Sequence, residues 1–145
     1  MKKKVIIFAL ITFAFSKIGF SQNNAEPWKA DQLLSPRILD SIINSSSKEK
    51  PLIICVGPSA LIKGSLDAGA AKEKENLASL RQLLSKERKD IEIVIYCGCC
   101  PFDHCPNIRP AFQVLNEMQF IHPKLLNLPK NLKTDWIDHG YSINQ

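Results

Sequence analysis

The chain has 145 residues and a formal net charge of +5, with 45% hydrophobic residues, 8% aromatic residues and five cysteines. That length suits one domain with one core. Four of its 19 Lys and Arg stand in the first 21 residues and none of its 14 acids does, so 15 basic groups face 14 acidic ones in the remainder; a net charge of +1 argues against nucleic-acid or membrane-surface binding.

The basic start, Lys2, Lys3 and Lys4, precedes an apolar run at residues 5–15 that holds no charge and one polar residue, Thr12, and Gly19 and Ser21 supply small residues at the −3 and −1 positions of a cleavage site. This pattern is that of a secretory signal peptide, residues 1–21, too short for a membrane span. The reading places the product outside the cytoplasm, periplasmic or secreted, with one domain at residues 22–145 and no further membrane attachment. In an oxidising compartment thiols tend to be paired, metal-bound or used. Five is an odd number, so at least one cysteine falls outside any intramolecular pairing.

Residues 22–27 read as a polar lead-in, expected to be mobile. Ser35 and Pro36 read as an N-cap and an N1 proline, followed by Ile38, Leu39, Ile42 and Ile43 at helical spacing until the serines 45–47. After Pro51, residues 52–56 are continuously apolar, as expected of a strand covered on both faces. Residues 57–69 form a loop. Residues 72–89 read as a charged surface helix with Leu77, Leu80 and Leu84 on one face. A second buried strand at 91–96 runs into a loop holding Cys97, Cys99, Cys100, His104 and Cys105. A helix at 107–119 follows, with Ile108, Phe112, Leu115 and Met118 in a stripe and Pro110 tolerated in the first turn. A third strand is expected at 125–128 and a last helix at 131–139, closed by Gly140. This alternation predicts an α/β fold: three layers, a central parallel sheet with helices on both faces.

Several segments resemble the rhodanese (sulfurtransferase) family in order and spacing. Leu34, Ser35 and Pro36 lead a short helix, and residues 52–56 form the first core strand. Ile62, Lys63, Gly64 and Ser65 are similar to the family's "HIxGA" segment. Val94, Ile95, Tyr96 and Cys97 resemble the strand that delivers its nucleophilic cysteine, and Trp136 with Gly140 and Tyr141 resembles its closing "W…GY" segment. The resemblance implies a rhodanese-like fold and cofactor-free transfer or carriage of a sulfane sulfur through a Cys97 persulfide. It also implies that Arg109 and loop amides such as that of Gly98 bind a small anionic donor, thiosulfate or a persulfide. A cysteine at a strand end, before a helix N-terminus, ionises more readily than a free thiol.

The chain departs from the family in three places. Val56 and Gly57 stand where an Asp-Arg pair is usual, the active-site loop is enlarged, and Leu128, Pro129 and Lys130 replace a glycine-rich turn. The enlarged loop leaves two alternatives open. Cys99, Cys100, His104 and Cys105, with Cys97, suit a soft-metal site for copper or zinc. A disulfide joining Cys97 or Cys100 to Cys105, structural or regulatory, is the other, ranked a little above metal; a vicinal Cys99–Cys100 bridge would strain the backbone. Cys97 and Cys100 also allow a thiol–disulfide redox role. The run resembles the thioredoxin C-G-x-C motif, which however stands near the start of its domain, whereas this one comes late. Cys55, Trp28 and Trp136 read as packing residues, His122 and His139 as surface or capping residues, and Asp103 as a partner for Arg109 or His104 or a solvated loop acid.

Overall fold

The apolar runs at 52–56 and 91–96 lie side by side as the middle of a parallel sheet, with Leu52 opposite Ile93 and Cys55 opposite Tyr96. The computed structural model describes residues 26–145; the segment read as a signal peptide, with the expected cleavage point, and residues 22–25 lie outside the described residues. The strands are β1 (Leu33–Leu34), β2 (Leu52–Cys55), β3 (Leu66–Asp67), β4 (Glu92–Tyr96) and β5 (His122–Leu126). The helices are α1 (Pro36–Asn44), α2 (Lys74–Leu84), α3 (Ile108–Glu117) and α4 (Leu132–Asp135), with 3-10 turns at Ala30–Gln32, Phe102–His104 and Ile137–His139. All pairings are parallel and the strand order is β1-β5-β4-β2-β3.

Side chains alternate across a strand, and this alternation sorts the core into two layers. Ile54, Val56, Ile93, Ile95 and Cys97 join Leu80 and Leu84 of α2 and Ala111, Phe112 and Leu115 of α3. Ile53, Cys55, Val94 and Tyr96 join Leu39 of α1 with Leu132 of α4 and Trp136 just after it. Each fully buried Leu, Ile or Phe removes enough apolar surface to contribute about 1.5–3 kcal/mol. The architecture is therefore the expected three-layer α/β fold with helices on both faces.

Five strands form where three were expected. β1 and β3 have two residues each, too few to show a period, and β3 is exposed along its length. β5 begins at His122 rather than at residue 125 and includes Pro123, a residue that ordinarily breaks a strand. The ladder to β1 starts only at Leu125, so β5 is still an edge at Pro123 and no pairing is lost there. α2 ends at Leu84, its last buried residue, although residues 85–89 keep a charged composition. The last helix splits at Trp136, and Gly140 closes the second piece with φ +71°. The lead-in is anchored at its end: Asn116 donates to the Pro27 carbonyl at 2.7 Å, and Trp28 packs on Phe102 and Phe112.

β3 lies beyond β2 on one side and β5 beyond β4 on the other, so the chain leaves the C-terminal ends of β2 and β4 in opposite directions. Such a divergence opens a crevice outside the strand ends, the usual ligand position in open α/β sheets. Cys97 follows β4 directly into it.

Candidate functional site: a thiol cluster at the sheet crevice

Strand alternation turns the Cys97 side chain to the α2/α3 face, where it is only 4% exposed. Gly98 then turns the chain with φ +85°, a conformation that favours glycine. Its carbonyl accepts the Leu132 N–H at 2.9 Å, and a Cβ there would meet Leu132 Cβ at 2.8 Å. The turn brings Cys99 back over Cys97, sulfur to sulfur at 3.1 Å, with Cys100 a further 3.3 Å from Cys99. The 3-10 turn at Phe102–His104 carries the chain round to Cys105, which is fully buried. The sulfurs of Cys97, Cys99 and Cys105 all lie within 4.8 Å of one another. All five cysteines carry free thiols, so none of the pairings considered for Cys97, Cys100 and Cys105 is formed.

Two residues absent from the sequence reading complete the site. Asn107 stands where α3 begins, yet its side chain does not cap that helix. Its Nδ2 donates to Cys97 Sγ at 3.3 Å, while its Oδ1 accepts the Lys72 N–H at 3.0 Å. Among the described residues it is the polar side chain in the buried set, 4% exposed. Gly57, two residues past β2, leaves its side-chain space to the thiol: a Cβ there would lie 2.6 Å from the Cys97 carbonyl oxygen and 2.7 Å from its sulfur. The signals were present, an asparagine at a helix start and a glycine just past a strand, but each has a common local meaning that hides the contact across the crevice.

These donors decide which thiol ionises. The Cys105 thiol hydrogen-bonds to Cys97 and is the largest influence on it. Burial opposes ionisation, and the Cys99 backbone N–H, the Asn107 amide and the Cys99 thiol favour it. The outcome is a Cys97 pKa lowered to about 5. Its partners move the other way: Cys105 rises because it donates to Cys97 and is buried, and Cys99 is pushed up to about 12 by burial and its sulfur neighbours. The cluster thus holds one negative charge at neutral pH, centred on Cys97, with neighbouring thiols as proton donors.

The remaining predicted residues fall outside this contact set. Arg109, the second residue of α3, donates to Glu26 Oε1 and stands over the Trp28 ring, 5.6 Å from its centroid. His104 is exposed, with its Nδ1 paired to Asp103 Oδ1 at 2.8 Å, and it lies outside the group of sulfurs within 4.8 Å of one another. Cys55 is a core residue, its thiol donating to the Ser59 carbonyl at 3.2 Å and its pKa raised by burial. Behind the site, the buried Tyr96 hydroxyl accepts the Ile62 N–H at 3.2 Å and bonds Ser65 Oγ at 2.9 Å, fixing the end of β4. Trp136 is buried edge-on to Tyr141, with ring centroids 5.2 Å apart, and donates to the Ser142 carbonyl.

Fold and site together define an α/β protein of parallel-sheet architecture that presents a thiolate, hedged by further thiols, at its sheet crevice. Comparison with known protein families, with curated proteins and with solved structures found no match. Among the described residues, no helix is long and apolar enough to cross a membrane.

Proposed function

We propose that the protein is an exported, rhodanese-like carrier or transferase of sulfane sulfur that works through a persulfide on Cys97. The observation that carries this reading is the Cys97 sulfur itself, at the end of β4 in the crevice and ringed by the Cys105 thiol, the Cys99 amide and the Asn107 amide. A thiolate is the species that attacks sulfur, and these same donors would stabilise the anionic outer sulfur of a persulfide.

The step balances without a cofactor. The Cys97 thiolate attacks the sulfane sulfur of thiosulfate, a new S–S bond forms on Cys97, the donor's S–S bond breaks, and sulfite leaves with the electron pair. An acceptor thiolate then takes the outer sulfur and returns Cys97 as a thiolate. We assign Arg109 to attracting the donor anion, a role in which the donor would displace the Glu26 carboxylate from the guanidinium. Gly98 supplies the turn that brings the Cys99 amide to the sulfur.

Single-turnover assay with thiosulfate and no acceptor tests the reading. One sulfite per chain should appear from the reduced protein and none from Cys97→Ser. Equal sulfite release from both proteins would exclude Cys97 as the carrier.

A further inference from the structure

We propose that the same loop also binds one soft monovalent metal ion, Cu(I), in a trigonal site made by the sulfurs of Cys97, Cys99 and Cys105. The proposal stands on how these three side chains converge and does not rest on the persulfide reading.

The mutual spacing, within 4.8 Å for all three sulfurs, is close to what a shared ion needs. Thiolates bonded to a common ion at about 2.3 Å around a triangle stand roughly 4 Å apart. The donors are all sulfur, with neither carboxylate nor imidazole in the group, and such a set selects soft ions over magnesium, calcium or manganese. Their number separates copper from zinc. A structural zinc site closes with four ligands, and the two further candidates lie outside the group of donors that are all within 4.8 Å of one another: Cys100 reaches Cys99 at 3.3 Å and Cys105 but not the whole triangle, and His104 is exposed. Three sulfurs suit the low coordination number of Cu(I).

The surroundings are shaped for an ion held from one side. Asn107 lies against Cys97, Gly57 leaves the sulfur its room, and Cys97 and Cys105 are buried while Cys99 is exposed. Copper would enter and leave past Cys99, where the Cys100 sulfur, 3.3 Å away and half-buried, offers the next ligand for thiol exchange.

The test uses the full chain, reduced and anaerobic, titrated with Cu(I) in competition with the chelator bicinchoninate. The expected result is one copper per chain, with three sulfur neighbours by X-ray absorption. Affinity should fall at least about tenfold in Cys99→Ser and in Cys105→Ala, and stay unchanged in Cys55→Ser and His104→Ala. Cys99 is exposed, so its variant gives a result free of any folding defect that loss of the buried Cys105 could cause. The proposal is overturned if copper is lost to the chelator, if Cys99→Ser retains it undiminished, if His104→Ala releases it, or if zinc with four sulfur neighbours is held in preference.

Discussion

Asn107 holds Cys97 from the start of α3: its amide nitrogen donates to the sulfur at 3.3 Å while its oxygen takes the Lys72 backbone N–H at 3.0 Å. One side chain therefore ties the thiolate to the segment leading into α2. Replacing Asn107 with Leu removes a donor from the thiolate and leaves the Lys72 N–H without its partner. The Cys97 midpoint should rise by about one pH unit, followed by the ultraviolet absorbance of the thiolate. Denaturant unfolding should show a loss of about 1–3 kcal/mol.

Ionisation of Cys97 gives a prediction with a definite sign. A thiol whose pKa is lowered keeps its reactive form as pH falls and loses it only on passing below that pKa. Absorbance equivalent to one thiolate should persist down to a midpoint near pH 5, and Cys97→Ser should abolish it. Sulfur uptake should follow the same curve, falling below pH 5 and remaining level through neutrality. A midpoint above 8, that of an ordinary thiol, would contradict the role given to the Cys105, Cys99 and Asn107 donors.

Gly57 is a steric prediction. An alanine Cβ would overlap both the Cys97 carbonyl oxygen and its sulfur, so Gly57→Ala should displace the thiol from its donors. A destabilisation of about 1–3 kcal/mol is expected, with a fall in sulfite release much larger than that caused by alanine at the exposed Lys63.

Arg109 separates donors by charge. If its guanidinium attracts the anion, Arg109→Gln should raise the thiosulfate concentration needed for half-maximal loading and leave an uncharged sulfane-sulfur donor, a dialkyl trisulfide, little changed. Its exposed ion pair with Glu26 contributes no more than about 1 kcal/mol, so the variant should fold normally. Equal effects on both donors would leave Arg109 with no part in anion binding.

The strands that were legible in the sequence are those whose burial repeats over several residues, β2 and β4, because continuous apolar runs report cover on both faces. β1 and β3 have two residues each, and two residues carry no period, even where both are leucines as in β1. β5 was masked by Pro123, whose usual meaning fails where the strand is still an edge. At the site, Cys97 was legible from its place at a strand end. The convergence of Cys99 and Cys105 on it depends on the turn at Gly98 and the short 3-10 turn after Pro101, which cysteine spacing alone does not specify. Asn107 was hidden for the same reason, since an asparagine before a helix reads as a cap and here its amide serves a residue ten positions earlier. His104, which spacing admitted among the ligands, lies outside the group of donors within 4.8 Å of one another, its Nδ1 paired with the adjacent Asp103.

The central claim is tested most directly by the intact mass of the reduced protein after exposure to thiosulfate or a persulfide donor, with the modified cysteine located by peptide fragmentation. The account predicts a gain of one sulfur atom, located on Cys97 and absent from Cys97→Ser. An unchanged mass, or a sulfur atom that persists on another cysteine when Cys97 is replaced, would contradict it.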